Sequence, residues 1–278
     1  MNINKSSKIS GIIDYHVHSR FSADGQASIA ELCAQAVRIG CQEIIFTDHL
    51  SFFPGDPNYY LNNHQEISWE IKHYRDIYQD QLIIGYGVEI DFQPETLDIV
   101  SDYLSGQVYD YVLTGVHYVG KVFVLYPEYF AGKTLKEAYK QYFHMIKEAA
   151  GCQLFDAIAH LDYVKRGARK YYPDSWKKEL KAFTSEIKEI LGLMIQGNIA
   201  LELNTSGPRR NLPEFFPGPE ILSWYHELGG TLLTVGSDTH VRTELGRGVG
   251  EAFQLLKELG LTEVTLFQQR RPCRRVLL

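Results

Sequence analysis

Two short stretches near opposite ends of the chain place imidazole and carboxylate side chains at alternate positions. His16 and His18 stand two residues apart where an apolar run ends, and Asp238 and His240 do so much further along. Because successive side chains of a β-strand point to opposite faces, the two members of each pair share a face. Two ligands on one face can chelate a metal ion, so each pair is a candidate half of one metal site.

Further candidate ligands stand where other apolar runs end. A single histidine in such a position is more often a hydrogen-bonded structural residue, but the joint placement of nine such groups favours a metal centre. The candidate ligands are His16, His18, Asp24, His49, Glu89, His117, His160, Asp238 and His240. The other histidines fall in predicted loops or helices, where a solvated or helix-surface position is expected. They are His64, His73, His144 and His226.

The types of the candidate ligands limit the metal and the chemistry. Imidazole and carboxylate without thiolate suit Zn, Mn or Fe and argue against a structural cysteine–zinc site. Nine ligands exceed what one ion uses, so two or three divalent ions are predicted, with a carboxylate such as Glu89 bridging neighbours. A metal lowers the pKa of bound water to about 7, so metal-bound hydroxide is the predicted nucleophile, without a side-chain nucleophile.

Apolar, β-branched runs alternate with amphipathic helical stretches along the whole chain, which predicts an α/β protein with a mainly parallel sheet. The runs are 11–19, 43–49, 82–92, 111–119, 155–164, 199–207 and 231–240, and 264–267 is a possible eighth strand. The predicted helices are 27–39, 64–80, 95–105, 134–150, 174–196, 218–229 and 247–259. A Pro-, Asn- and Tyr-rich stretch, 51–63, is predicted to be a long loop beside His49.

The metal site requires the predicted sheet to be closed. In an open sheet in sequential order, the first and seventh strands would lie about 29 Å apart at about 4.8 Å per strand, too far to share ions. Closure into a TIM-like barrel brings the strand ends together at one face, and about 250 residues suffice for such a fold. No linker or composition break interrupts the 278 residues, so a single domain, 1–278, is predicted.

Composition narrows the class of protein further. Hydrophobic residues make up 45% of the chain, yet no apolar stretch approaches the roughly 20 residues of a membrane span. The segment 1–10 has no hydrophobic region behind it, so a cytoplasmic protein is expected. The four scattered cysteines are expected to be reduced thiols. A net charge of −6 argues against a polynucleotide partner, and composition carries no signal for an oligomeric state.

A series of short motifs resembles the polymerase and histidinol phosphatase (PHP) family, and within it the histidinol-phosphatase branch. The motifs are D-Y-H-V-H-S, F-T-D-H, G-V-E-I-D, T-G-V-H, A-H-L-D-Y-V-K-R, L-E-L-N-T-S-G and V-G-S-D-T-H, spread over 12–272. The resemblance implies a distorted (β/α)7 barrel in which the nine candidate residues hold a trinuclear metal centre. Asp24 stands where other family members carry His, as in that branch, and Pro208 departs from the usual Leu or Ile.

The resemblance also implies a reaction and a substrate. Metal-dependent hydrolysis of a phosphomonoester is expected, most simply of L-histidinol phosphate in histidine biosynthesis. The cationic side chains that follow the strand ends are candidates for binding the phosphate, namely Arg20, Lys165, Arg166, Arg209 and Arg210. Following the resemblance, Arg166 and Arg209 are preferred, then Lys165 and Arg20. Two alternatives stay open. One is a family phosphoesterase acting on phosphotyrosine, a nucleotide or a nucleic-acid end, and the other is a non-catalytic metal-binding module.

Overall fold

Strands and helices alternate through most of the structure, a computed structural model that describes residues 4–8, 11–61 and 63–278. The predicted loop 51–63 and the segment 1–10 therefore lie partly outside the described residues. The strands are β1 (Asn4–Lys8), β2 (Ile12–Val17), β3 (Cys41–Phe46), β4 (His49–Leu50), β5 (Ile83–Asp91), β6 (Tyr111–Gly115), β7 (Tyr118–Val119), β8 (Val122–Phe123), β9 (Ala157–Ile158), β10 (Ala200–Asn204), β11 (Leu233–Gly236), β12 (Glu263–Gln268) and β13 (Arg271–Leu277).

The helices begin at recognisable caps and turn their apolar faces inward. Ser28 caps α1 in a capping box with Glu31, and Thr134 caps α5 in the same way with Glu137. None of the helices in the described ranges combines the length and apolar composition that crossing a membrane requires. The helices are α1 (Ile29–Arg38), α2 (His64–Tyr78), α3 (Leu97–Ser105), α4 (Pro127–Phe130), α5 (Leu135–Gly151), α6 (Lys165–Tyr171), α7 (Trp176–Lys181), α8 (Thr184–Gly197), α9 (Pro219–Glu227) and α10 (Val249–Glu258).

Seven parallel strands form a nearly closed barrel, which confirms the predicted α/β barrel. Their order is β2, β3, β5, β6, β9, β10 and β11, so the strands follow one another around the barrel as they do along the chain. At the seam, the backbone N–H of Asp238 donates to the carbonyl of His16 at 2.8 Å, and that of His18 donates to Thr239 at 2.9 Å. The seam therefore joins the two candidate-ligand motifs that lie furthest apart in the sequence.

A second, three-stranded sheet lies at the opposite end of the barrel and contains the run 264–267, which is therefore a strand, as predicted, but not a strand of the barrel. That run lies within β12, which pairs with β13 and not with the barrel, in the order β1, β13, β12. The hydroxyl of Tyr15 donates to the carboxylate of Glu43 and accepts the backbone N–H of Phe267 at 3.0 Å. The hairpin thus closes the amino-terminal end of the barrel.

Other differences from the predicted elements come from local packing. The predicted helix 174–196 is broken at Ala182 and Phe183, where hydrogen bonds of the i→i+3 kind replace helical ones and the Phe183 ring packs against Tyr139 and Phe143 of α5. Strand β9 is only two residues long, because the chain turns at His160. Each of these differences results from tertiary contacts, which produce no periodic pattern of apolar residues in the sequence.

Candidate metal centre

The nine candidate ligands converge at the carboxyl ends of the barrel strands. His16 and Glu89 lie within strands, whereas Asp24, Asp238 and His160 lie in the turns that follow them. All nine are buried or half-buried except Asp24, whose side chain is 61% exposed at the rim. Six of the seven barrel strands contribute one to three of these groups at their ends, and β10 contributes none, so the closed sheet brings them together at one mouth.

The ligand atoms fall into three neighbouring groups, two of which share His18. Within each group, one nitrogen or oxygen atom per residue lies within 4.8 Å of the corresponding atom of every other member. The groups are His16, His18 and Asp238; Glu89, His117 and His160; and His18, His49 and His240. Eight of the nine candidates belong to a group, and His18 belongs to two of them. The described part of the chain therefore contains three neighbouring groups of side chains, each of which could hold a cation.

Glu89 lies between these groups and turns its two oxygens toward different ones. Its Oε2 lies 3.2 Å from Nε2 of His16 and 2.9 Å from Nδ1 of His49. Its Oε1 lies 3.0 Å from Nε2 of His160 and 3.7 Å from Nε2 of His117. A carboxylate with this arrangement can bridge two ions about 3.5–4 Å apart, as in two-metal hydrolases.

The ninth candidate, Asp24, approaches the group of three histidines from the loop after β2. Its Oδ2 lies 3.2 Å from Nε2 of His240, and its Oδ1 lies 3.9 Å from Nε2 of His49. The proximity of these imidazoles lowers the pKa of Asp24 although burial by itself raises it, so the carboxylate is ionised at neutral pH.

The spacing and the charge of the cluster both fit divalent cations. Two ligand atoms about 2.1 Å from a tetrahedral zinc lie about 3.4 Å apart. Nε2 of His16 lies 2.9 Å from Nε2 of His18 and 3.7 Å from Oδ1 of Asp238, on either side of that value. Metal binding requires neutral imidazoles, and six of them with three carboxylates carry a formal charge of −3 that bound cations would balance.

The pKa shifts within the cluster follow from the same crowding. Burial by itself lowers the pKa of His16, but the carboxylates of Glu202 and Glu89 outweigh it and raise the pKa well above its ordinary value. Burial and neighbouring imidazoles hold the pKa of His18 well below its ordinary value. Burial raises the pKa of Glu89, but the imidazoles of His16 and His49 outweigh it and the pKa lies well below the usual range. The cluster is thus arranged to keep its carboxylates ionised beside positive charge.

A second layer of carboxylates orients the imidazoles, and the sequence interpretation missed its main member. Glu202 in β10 is fully buried, with Oε1 2.6 Å from Nδ1 of His16 and Oε2 accepting the backbone N–H of His160 at 2.9 Å. A lone acidic residue between the leucines of an otherwise apolar strand is the signal that would have found it. Such partners fix the ring orientation of metal-binding histidines.

The other acidic neighbours have separate roles. Asp91 accepts from Nδ1 of His117 at 3.1 Å and so orients that ring. The carboxylate of Asp48 reaches the cluster through Ser22, whose hydroxyl lies 2.8 Å from Asp48 and 3.1 Å from Nδ1 of His18. Asp162 contacts no imidazole and instead accepts from the Lys165 ammonium at 2.8 Å.

The backbone beside the cluster has little room. Asp238 and His160 have φ of 54° and 29°, in the left-handed region that side chains other than Gly rarely adopt. A Cβ at Gly115 would lie 2.7 Å from the His160 ring and 2.9 Å from both Glu89 and His117. The strand must therefore carry glycine at this position for the three ligands to meet.

A cavity of about 200 Å³ opens onto the cluster. Besides ligands, it is lined by polar and aromatic residues from the surrounding loops, namely Asp56, Pro57, Asn58, Tyr118, Phe123, Tyr126, Tyr163, Arg166 and Arg210. Burial raises the pKa of Tyr163 to about 12, although the guanidinium groups of Arg166 and Arg210 oppose it. The guanidinium of Arg166 donates to this hydroxyl at 3.1 Å, and Arg210 lines the same cavity.

Of the five cationic residues considered for phosphate binding, Arg166 and Arg210 line this cavity, so Arg166 alone of the preferred pair does so. Arg209 is turned away, with Nη2 donating to the carbonyl of Ser237 and Nε 3.3 Å from Glu244. Lys165 is fully buried between Asp162 and Glu214, and Arg20 pairs with Glu70 at the surface. Arg210 takes the position expected for Arg209.

The four remaining histidines lie outside the cluster, as expected. His64 contacts the hydroxyl of Tyr86 at 2.9 Å, and the ring of His73 stacks on Trp69. His144 is largely exposed on α5. Residue type alone therefore does not identify the candidate ligands. The six histidines of the cluster lie at strand ends, whereas the other four do not.

Fold and site together define a parallel α/β barrel with a candidate metal centre at its carboxyl-terminal mouth. The chain belongs to the PHP family, since the PHP domain matches residues 14–206. This match confirms the family resemblance of the motifs.

Similar proteins extend over nearly the full chain. A histidinol-phosphatase of Lactococcus lactis subsp. lactis is 28% identical over 261 residues, covering 92% of this chain and 94% of the relative. A probable histidinol-phosphatase of Thermotoga maritima is 29% identical over 249 residues, covering 89% and 92%. The crystal structure of the histidinol phosphate phosphatase from Lactococcus lactis subsp. lactis, complexed with Zn, L-histidinol and phosphate, superposes with a TM-score of 0.82. It is 26% identical and covers 94% of this chain and 98% of that one.

Proposed function

We propose that the protein is a metal-dependent phosphomonoester hydrolase that converts L-histidinol phosphate and water to L-histidinol and phosphate, a step of histidine biosynthesis. The relatives' names, and the crystallised neighbour that contains Zn, L-histidinol and phosphate, support this substrate. The observation that carries the proposal is the gathering of all nine candidate ligands in one cluster, seven of which line the same cavity. The whole chain, 1–278, would act as one phosphatase domain, and its cytoplasmic location stays a prediction.

The nine residues would hold two or three divalent ions, with Glu89 between them. The donor set of imidazole and carboxylate supports zinc, as does the zinc in the neighbouring structure, whereas Mn and Fe stay predictions. Bound ions of this kind make hydroxide available at neutral pH and neutralise phosphoryl oxygens. Glu202 and Asp91 would hold His16 and His117 in the ring orientation that presents the ligand nitrogen to the cavity.

Arg166 and Arg210 would bind the phosphate of the substrate. Both line the cavity, and neither forms an ion pair with a carboxylate among the residues described. A planar guanidinium donates two parallel hydrogen bonds to phosphate oxygens and stabilises the charge that spreads over them during in-line displacement. Arg209 is unsuited to this role, because its guanidinium donates to backbone carbonyls outside the cavity.

The organic part of the substrate would lie against the loop after β4. Asp56 is 8% exposed and lines the cavity beside Asn58, whose side chain donates to it at 3.2 Å. A buried carboxylate there suits a cationic amine or imidazolium, because an unpaired charge in a cavity is costly. Tyr59 and Tyr60 are exposed and do not line the cavity, so this loop contributes Asp56 and Asn58.

The direct test is phosphate release by metal-replete protein from a panel containing histidinol phosphate, phosphotyrosine, a mononucleotide and a short 5′-phosphorylated oligonucleotide. We expect histidinol phosphate to have a kcat/KM at least about 100-fold above the others. Equal turnover of all esters would replace the assignment with a broader phosphoesterase. Absence of turnover would leave the metal-binding module.

Two arginine variants make the test specific for the site. Arg166→Gln and Arg210→Gln should each lower kcat/KM for histidinol phosphate by about 10-fold or more, because each removes a charged donor to phosphate. A loss confined to Arg209→Gln would contradict the phosphate site described here.

A further inference from the structure

A second cavity, of about 390 Å³, lies beside the mouth of the candidate metal centre. Its lining residues are Arg166, Arg169, Lys170, Arg210, Asn211 and Leu212. Arg166 and Arg210 line both cavities, so the two spaces are neighbours separated by these guanidinium groups. The second cavity is therefore an outer compartment of the same mouth, and we call it the outer basic site.

Four of the six lining residues are cationic, and no carboxylate lines the cavity. None of the four forms an ion pair with a carboxylate in the described ranges, whereas other cations such as Lys165 and Lys177 pair with Glu214. This concentration of positive charge stands out in a chain whose net charge is −6. Like charges held together without counterions repel one another, and an anion in their midst removes the repulsion.

The structural contacts of these cations leave most of their donors free. Arg169 uses one N–H on the carbonyl of Asn211, which leaves the others of its five donors available. Lys170 lies over the Tyr171 ring at 5.1 Å and is exposed, a contact that leaves its ammonium donors unused. The guanidinium of Arg210 has no hydrogen-bond partner in the part of the chain that the structure describes. Packing contacts alone therefore do not explain why these four cationic side chains lie together.

We propose that the outer basic site binds a phosphate group that is separate from the one held at the metal centre. Guanidinium forks and a flexible ammonium match the tetrahedral oxygens of a phosphate better than a planar carboxylate of lower charge. Two sources share this chemistry. One is free inorganic phosphate, the product on its way out, and the other is a second phosphate on a ligand whose first phosphate occupies the inner cavity. The inference goes beyond the proposed substrate, which carries one phosphate.

The binding test uses metal-free protein and radiolabelled inorganic phosphate in equilibrium dialysis at low ionic strength. The wild-type chain should bind about one phosphate through the outer basic site, and the Arg169→Gln, Lys170→Gln double variant should bind at least 10-fold more weakly. Removal of two charges elsewhere provides the matched control. Lys136→Gln with Lys140→Gln on α5, both exposed, should bind as the wild type does.

The source is decided with the holoenzyme and two synthetic esters, propyl phosphate and 1,3-propanediol bisphosphate. If the site takes a second phosphate of a ligand, the wild type should prefer the bisphosphate in kcat/KM by about 10-fold. The Arg169, Lys170 double variant should reduce this preference to the twofold expected from two equivalent ends. If the site takes free phosphate alone, no such preference appears while the dialysis result holds.

The two results together decide the inference independently of the proposed function. The proposal would be overturned if the wild type and the Arg169, Lys170 double variant bound phosphate equally and also showed the same ratio of kcat/KM for the two esters. Failure of the proposed function has a different signature, because histidinol phosphate would then release no phosphate while the dialysis difference between wild type and variant remained.

Discussion

Glu89 connects the groups of histidines in the candidate metal centre, because each of its oxygens faces imidazoles of a different group. His16 is held from both sides, by Glu202 at Nδ1 and by the cluster at Nε2. A proposed ligand in such a position would contact more than one bound ion. Removal of one such side chain should therefore weaken metal binding by several of the neighbouring residues.

We expect His16→Ala and Asp238→Ala each to lose at least one ion per chain and about 100-fold or more in activity. Elemental analysis of dialysed protein and phosphate release measure the two effects. His144→Ala is the matched control, since its side chain is 68% exposed on α5 and it should keep both properties. Full metal content in both variants would contradict their proposed role as ligands.

At the scale of elements, the candidate ligands at the strand ends can approach one another because the residue packed against them is a glycine. Gly115 at the end of β6 is packed against the side chains of His160, Glu89 and His117. In contrast, a Cβ at Gly192 in α8 would meet no heavy atom within 4 Å. The same substitution should therefore have opposite consequences at the two positions.

Gly115→Ala should displace the ligands and lower metal content and activity by about 10-fold or more, because a Cβ cannot fit at 2.7 Å from the His160 ring. Gly192→Ala should keep activity and raise the free energy of unfolding by about 0.5–1 kcal/mol through helix propensity. Metal analysis and denaturant unfolding measure both. Retention of full metal content by Gly115→Ala would show that the strand can shift.

The segment that carries Arg166 is anchored by a buried ion network. The Lys165 ammonium lies 2.8 Å from Asp162 and 3.1 Å from Glu214, and Lys177 lies 2.6 Å from Glu214. Burial by itself raises the pKa of Glu214, but the two ammonium groups outweigh it and hold the pKa below its ordinary value of 4.5. The network therefore links α6 and α7 to the loop before α9.

The stabilisation by Glu214 should depend on pH. Because the pKa is lower in the folded state than in the unfolded state, the contribution is complete above pH 4.5 and disappears as pH falls through the folded pKa. Denaturant unfolding of metal-free wild type and Glu214→Gln should differ by about 1–2 kcal/mol at pH 7 and converge in acid. Glu189→Gln breaks an exposed pair with Lys147 and should cost under about 0.5 kcal/mol at any pH. A constant Glu214 effect from pH 7 to the acid limb would rule out this linkage.

At the scale of the whole molecule, the two ends of the barrel have separate tasks. The candidate metal centre occupies the carboxyl-terminal mouth, and the hairpin of β12 and β13 covers the other end. Arg270 in that hairpin lies 3.1 Å from the buried carboxylate of Asp156 and donates to the carbonyl of Leu154 at 2.6 Å. Substitutions at this end should therefore change the free energy of unfolding without changing the catalytic rate.

Arg270→Ala should lower the free energy of unfolding by about 2–3 kcal/mol, because it leaves Asp156 buried without its cation. Metal content and kcat at 25 °C should remain within about twofold of wild type, since the change lies at the opposite end of the barrel. Arg271→Ala, at an exposed neighbour, should be nearly neutral. A drop in kcat without a drop in stability would show that the two ends are coupled.

The sequence by itself determined the candidate ligands, the alternation of strands and helices and the need for a closed sheet. The ligands and the elements follow from residue type and from the different spacing of apolar residues in helices and in strands. The closed sheet follows from the width of an open one, which would hold His16 and Asp238 too far apart to share ions. The family resemblance and the barrel are confirmed. The identities of the metal ligands and of the phosphate-binding residues remain predictions for the experiments above.

Only the tertiary structure decided which cations face the cavities. Arg209 and Arg210 are adjacent in a 3₁₀ turn, where successive side chains point about 120° apart, so one turns to backbone carbonyls and the other to the cavity. Glu202, the break at Phe183 and the outer basic site likewise depend on contacts between remote segments. Sequence patterns report which face of an element is apolar, but the direction of a side chain in an irregular loop is set by what packs around it.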